Sequence, residues 1–221
     1  MNEKAAVGER AAKEYIKDGM VVGLGTGSTV YYTIVKIAEM IKNGLTIAGV
    51  ATSVQTENVA KSLGIPLLDF NMVKKIDVAI DGADEIDHQF YAIKGGGGAL
   101  LREKLIATHA EKFIVVVDSH KIVQKLGSFP LPVEVVPFGA KLTEKAIQQL
   151  GCKTIFREKE GNLFVTDNGN YIIDCYFSVI EYPKELAEAL NCIPGVVENG
   201  LFINMVHHVI TVDKDKNVII I

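Results

Sequence analysis

From Met20 to about Asp118 the chain alternates short β-rich runs with stretches of helical periodicity: MVVGLG, VYYTIVKIAEMIKNG, TIAGVAT, VQTENVAKSLG, KIDVAID, ALLREKLIATHA and KFIVVVD. Strand runs separated by helices of this length predict a parallel sheet covered by helices. After KLGSFPLP the order changes to strand VEVVPF, helix KLTEKAIQQLG, strands KTIFRE and NYIIDCYF, helix PKELAEALN and strand VVENGLFI. That is the split β-α-β pattern of a small ferredoxin-like domain. The tail HHVITVDKDKNVIII supplies strand material to rejoin the first sheet. The expectation is an α/β chain with a Rossmann-like parallel-sheet domain over residues 1–127 plus 205–221. A small ferredoxin-like α+β domain, residues 128–204, is inserted near the C-terminus.

Composition narrows the class. With 221 residues, 48% of them hydrophobic, the chain buries a sizeable core without staples. A net charge of -4 and the absence of a Lys/Arg run argue against nucleic acid as the main partner and leave small anions open. Cys152, Cys175 and Cys192 form no C-x-x-C and read as small core residues in a reducing compartment. The N-terminus, MNEKAAVGERAAKEYIKDG, reads as a charged amphipathic helix rather than a signal peptide, and no apolar run reaches membrane length. The expectation is a cytoplasmic protein with no membrane partner.

Four stretches carry candidate chemistry, each where a strand gives way to a loop or helix, the edge at which open α/β sheets bind ligands. In VVGLGTGSTV, glycines stand at 23, 25 and 27, but Ser28 replaces the third glycine of a dinucleotide fingerprint and the Gly-Lys of a P-loop is missing. The hydroxyls of Thr26, Ser28 and Thr29 at a helix N-terminus suit a single phosphate instead. In KIDVAIDGADEIDHQF, Asp81, Asp84, Glu85 and Asp87 crowd one strand end. Neighbouring carboxylates hold protons or attract a cation, so sugar-hydroxyl acid/base work, a metal site and a solvated turn all stand as readings. The spacing fits no EF-hand, and no nearby His or Cys fixes a transition metal.

The third stretch is AIKGGGGALLREKLIATHA. On a helical wheel Ala99, Leu100, Ile106, Ala107 and Ala110 share a sector with Glu103 in its middle, while Arg102, Lys104, Thr108 and His109 point elsewhere. A carboxylate in an apolar sector is costly unless paired or used. Lys94 precedes four glycines, whose lack of Cβ lets backbone N–H groups approach a developing oxyanion. The fourth is VVVDSHKIVQKLG, where Lys121 reaches toward an anion at the same sheet edge and His120 reads as a loop histidine; nothing assigns chemistry to His207 or His208. A phosphate cradle, a carboxylate cluster, an embedded Glu and a Lys beside an N–H-rich loop describe proton abstraction next to a carbonyl on a phosphorylated small molecule.

The motifs GLGTGST, TSVQTENVAKSLGIPL, DGADEID, KGGGGALLREK and VDSHK, in this order and spacing, also make the chain resemble the type A ribose-5-phosphate isomerases over essentially its whole length. The resemblance implies interconversion of ribose 5-phosphate and ribulose 5-phosphate through a cis-enediolate, without metal or organic cofactor. It implies Glu103 as the base between C1 and C2, with Lys94 and the amides of Gly95, Gly96 and Gly97 at the enediolate oxygens. Asp81 would serve the hydroxyl protons and Asp84 ring opening, with Gly82 and Ala83 also touching substrate. Thr26, Gly27, Ser28, Thr29 and Lys121 would hold the substrate, chiefly at its phosphate, joined by Lys4 from KAAVG. It further implies a homodimer or homotetramer. Two other readings compete: a non-catalytic sugar-phosphate sensor, for which the short stretch before the first strand leaves no helix-turn-helix, and another sugar-phosphate enzyme, a deaminase or lactonase, on the same scaffold.

Overall fold

The computed structural model describes residues 2–221. In chain order its elements are α1 (Glu3–Tyr15), β1 (Val21–Leu24), α2 (Val30–Lys42), β2 (Ala48–Ala51), α3 (Val54–Ser62), β3 (Val78–Asp81), β4 (Glu85–Ile86), β5 (Ala92–Ile93), α4 (Leu100–His109) and β6 (Phe113–Val116). There follow β7 (Leu131–Val135), α5 (Ala140–Gln148), β8 (Lys153–Phe156), β9 (Glu158–Lys159), β10 (Asn162–Leu163), β11 (Tyr171–Tyr176), α6 (Pro183–Asn191), β12 (Val196–Asn199), β13 (Leu201–Phe202), β14 (His208–Val212) and β15 (Val218–Ile220). The chain divides into two units: residues up to Ala83 with Arg102–Ile122 and Met205–Ile221, and Asp84–Leu101 with Val123–Asn204.

The first unit holds a six-stranded sheet in the order β15-β14-β6-β3-β1-β2. All pairs are parallel except the β14–β15 edge. The C-terminal tail does return to this sheet, because β14 pairs with β6. The VAID and FIVV runs of β3 and β6 are buried throughout, as strands covered on both faces must be. Alternate residues face opposite ways: Val22 and Leu24 of β1 join Val7, Ala11, Ile34 and Ile37 of α1 and α2 in one core. Gly23 points the other way, where a Cβ would meet Ile106 of α4 at 2.6 Å. Each fully buried Leu or Ile contributes about 1.5–3 kcal/mol, so this core needs no covalent staple. The strand order reverses between β1 and β3, the switch point at which such sheets open a ligand crevice at their carboxyl ends.

In the second unit the elements β7, α5, β8, β11, α6 and β12 follow the ferredoxin-like order, and their four strands form an antiparallel sheet in the order β12-β7-β11-β8. Leu131, Val133 and Val135 of β7 and Ile173 and Cys175 of β11 join Ile147 of α5 and Leu190 of α6 in its core. Alternation then puts Pro132, Glu134, Ile172 and Asp174 on the opposite face. Residues 84–101 and 123–127, which the sequence pattern assigns to the first domain, belong to this unit. The cause is a long-range pairing: β13 recruits β5, and β5 recruits β4. Cys152 and Cys175 are buried as expected, but Cys192 is exposed; all three are free thiols.

Candidate active site

In the first unit the site is built around Asp81, the last residue of β3, which is 2% exposed. Its Oδ1 accepts hydrogen bonds from the amides of Thr26 at 3.0 Å and Gly82 at 2.8 Å. Gly25, which directly follows the neighbouring strand β1, stands at the matching level, and a Cβ there would lie 2.1 Å from the same oxygen. The middle glycine of GLGTG therefore makes room for a carboxylate of the chain itself.

The loop continues into the N-terminus of α2. Thr26 differs from the open hydroxyl expected of it: its Oγ1 lies 2.7–3.0 Å from the hydroxyls of Thr52, Ser53 and Thr56. It ties the loop to the start of α3, where Ser53 caps the helix by accepting from the Thr56 amide. Gly27 and Ser28 are exposed, and Thr29 makes no side-chain cap bond. Among the described residues no hydrogen bond engages the amides of Gly27, Ser28 or Thr29. Three open N–H groups at a helix N-terminus make an anion cradle. Lys4 reaches it from α1, its Nζ donating to Ser28 Oγ at 2.8 Å. Lys121 closes a single 3-10 turn after β6, half-buried, and β6 lies beside β3 in the sheet. Its turn thus follows the strand next to Asp81.

Glu103 sits in the first turn of α4 and is 4% exposed, with Ile106 and Ala107 buried on the same helix. The apolar sector read from the sequence is there, although Lys104, expected to point elsewhere, is also buried.

In the second unit the remaining carboxylates of DGADEID separate. Asp84 Oδ2 accepts from the Gly96 amide at 2.7 Å. Glu85, buried, accepts from the amides of Gly127 at 2.7 Å and Phe129 at 2.6 Å and so pins a distant loop. Asp87 caps its own turn by accepting from Gln89 and Tyr91. Each carboxylate serves a different backbone, and among the described residues no three His, Cys, Asp or Glu side chains converge.

Lys94 is 2% exposed; its amide donates to Gly200 O and its ammonium lies 5.2 Å from the Phe202 ring centre. Of the glycines that follow, Gly95 and Gly98 have φ of +98° and +81°. A Cβ on Gly96 would meet Asp84 Oδ1 at 2.6 Å, and one on Gly98 would meet Phe164 Cζ at 2.4 Å. The sequence pattern suggests a ligand beside these glycines; in the structure the chain's own side chains crowd Gly96 and Gly98. Behind the loop stand Arg157, Phe164 and Asp174, which no sequence motif marks as functional. Their only sequence signal is a charged pair, in KTIFRE and NYIIDCYF, on the sheet face away from the helices.

Three comparisons bear on this arrangement. Residues 48–216 match the family described as Ribose 5-phosphate isomerase A (phosphoriboisomerase A). A ribose-5-phosphate isomerase A of Listeria monocytogenes serotype 4b is 54% identical over 93% of this chain and 92% of its own. A ribose 5-phosphate isomerase structure from Plasmodium falciparum, 36% identical, superposes with a TM-score of 0.96 over 99% of this chain and 97% of that one. A D-ribose-5-phosphate isomerase structure in complex with phospho-erythronic acid, 39% identical, gives 0.95 over 100% and 99%.

Proposed function

The chain belongs to the ribose 5-phosphate isomerase A family and interconverts ribose 5-phosphate and ribulose 5-phosphate, and from that premise we propose how its residues divide the work. The phosphate lies in the cradle of Gly27, Ser28 and Thr29, with Lys4 and Lys121 as its cations, because three open amides at a helix N-terminus favour a fixed anion. Thr26 holds the loop through its hydroxyl cluster. Asp84 assists ring opening and Asp81 takes up and returns hydroxyl protons, with Gly82 and Ala83 lining the same strand end. Glu103 removes the C2 proton of the open aldose and returns it at C1. Lys94 and the amides of Gly95 and Gly97 stabilise the enediolate that forms between the two steps, while the Gly96 amide, which the resemblance implies as a third donor, holds Asp84 instead.

The observation that supports this assignment most strongly is Glu103 itself, a carboxylate only 4% exposed in a helix of otherwise unremarkable amphipathicity. A carboxylate held by its helix in so enclosed a place has a fixed aim, which suits a proton acceptor. A non-catalytic sugar-phosphate sensor has no use for it. Among the described residues no helix is long and apolar enough to cross a membrane. We further propose a homodimer acting in the cytoplasm, where free thiols such as these persist.

The test is isomerisation in deuterated water. Transfer by one base places deuterium at C1 of ribulose 5-phosphate to the extent that the Glu103 proton exchanges before its return, together with some unlabelled product from direct transfer. Solvent deuterium that continues to enter C1 at the native rate in Glu103→Gln shows that another group carries the proton and removes Glu103 from that role.

A further inference from the structure

Four consecutive glycines carry no side chain by which the loop can hold its own shape. Arg157 supplies the hold from behind. Its Nη1 donates to the carbonyl oxygens of Gly95 at 2.8 Å and Gly96 at 3.0 Å. The other side of the guanidinium forks onto Asp174, Nε to Oδ2 at 3.0 Å and Nη2 to Oδ1 at 2.5 Å. Both side chains are largely buried, 14% and 15% exposed. The backbone of Arg157 is fixed as well, its amide donating to Ile172 O and its carbonyl accepting from Phe164 N, each at 2.8 Å.

The geometry of the peptide group turns this clamp toward the reaction. In a trans peptide the C=O and the following N–H point in opposite directions. The Gly95 carbonyl shares its peptide with the Gly96 amide, and the Gly96 carbonyl shares its own with the Gly97 amide. Holding both carbonyls on the Arg157 side aims both amides away from it. The Gly96 amide is found there donating to Asp84 Oδ2 at 2.7 Å. A cation bound to the carbonyls also draws charge along each peptide and sharpens the N–H as a donor.

We propose that Arg157, oriented by Asp174, is a positioning residue for the isomerisation: it aims the Gly97 amide at the enediolate oxygens and, through the Gly96 amide that donates to Asp84 Oδ2, sets the place of Asp84. This inference rests on the roles assigned above to the glycine amides and Asp84. Lysine cannot replace it, since an ammonium has no planar fork with which to bridge two carbonyls and a carboxylate.

The test uses the full chain with Arg157→Lys, Arg157→Gln and the double change Arg157→Gln with Asp174→Asn, which removes the pair without stranding a buried charge. The readouts are kcat and KM for ribose 5-phosphate and the inhibition constant of phospho-erythronic acid, whose carboxylate stands in for the enediolate oxygens. A misaimed donor set predicts kcat lower by roughly 10- to 100-fold in the folded variants. KM changes little, because the phosphate ligands are untouched. Inhibition by phospho-erythronic acid weakens in step with kcat/KM. If Arg157→Gln fails to fold, Arg157→Lys and the double variant decide. Near-native kcat in those variants overturns the proposal, as does a loss confined to KM or to melting temperature. A Glu103→Gln control separates the layers: if it is inactive while the Arg157 variants turn over normally, only this inference fails, and if it is fully active, the underlying mechanism fails.

Discussion

Gly25, the residue just after β1, faces Asp81, the last residue of β3, and a β carbon on Gly25 would lie 2.1 Å from Asp81 Oδ1 and 2.3 Å from its Cγ. The carboxylate stands where it does because the facing residue has no side chain. Thr26 and Gly82 then fix it through their amides.

Gly25→Ala is therefore expected to displace Asp81 and lower both stability and turnover. Forcing one extra carbon into a packed site costs about 1–3 kcal/mol, and kcat falls by tenfold or more, on the order expected for a misplaced catalytic group. Gly64→Ala is the control, since its Cβ meets nothing and only its φ of +77° is unfavourable. That strain costs about 1–2 kcal/mol and leaves kcat alone. Thermal melts with steady-state kinetics on both variants compare the two; equal kcat in Gly25→Ala and the parent protein would remove the positional claim.

Glu85 looks like a third catalytic carboxylate in DGADEID and is expected to be structural. Glu85→Ala strands the Gly127 and Phe129 amides, at about 1–3 kcal/mol for each buried donor left unsatisfied. Urea unfolding should show the loss while the remaining folded enzyme keeps its kcat. Unchanged stability with lost turnover would move Glu85 into the active site.

Ser28→Ala and Lys121→Ala act on a phosphate whose charge does not change during the reaction. The interaction lost is common to substrate and transition state, so KM rises more than kcat falls. A kcat collapse at unchanged KM in either variant contradicts the phosphate assignment.

Asp77 ties Lys75 and the start of β1 together, accepting from the Val21 amide at 2.8 Å and from Lys75 at 2.9 Å. The backbone hydrogen bond, then the one from Lys75, hold its carboxyl below the usual aspartate range. A depressed native pKa gives stability that is present above the unfolded value and lost as pH falls through the native one. Asp77→Asn should lower stability at neutral pH and flatten its decline below about pH 4. Parallel pH–stability curves for the two proteins would show that the pairing contributes nothing.

Much of this was legible in the sequence because the signals are local. The alternation of MVVGLG, KIDVAID and KFIVVVD with helices gives the parallel sheet, and the wheel around Glu103 gives its burial. What escaped depends on contacts between distant stretches. Residues 84–101 join the second unit through distant partners: Leu201 and Phe202 pair with Ile93 and Ala92, Glu85 holds the Gly127 and Phe129 amides, and Arg157 holds the Gly95 and Gly96 carbonyls. Thr26 turns to Thr52, Ser53 and Thr56 because α3 begins beside the loop, which no spacing within GLGTGST reveals. Arg157 lies some sixty residues beyond the glycines it clamps, and in its own stretch it reads as an ordinary strand-end charge.

The central claim is that Glu103 carries the proton. Glu103→Gln keeps the shape and hydrogen-bonding capacity of the side chain in its buried place but removes the acceptor. Turnover of ribose 5-phosphate should fall by roughly 10²–10⁴ or more, the usual contribution of a positioned base. The melting temperature and the affinity for inorganic phosphate should stay near those of the parent protein. A folded Glu103→Gln enzyme that isomerises ribose 5-phosphate at the native rate would contradict the mechanism outright.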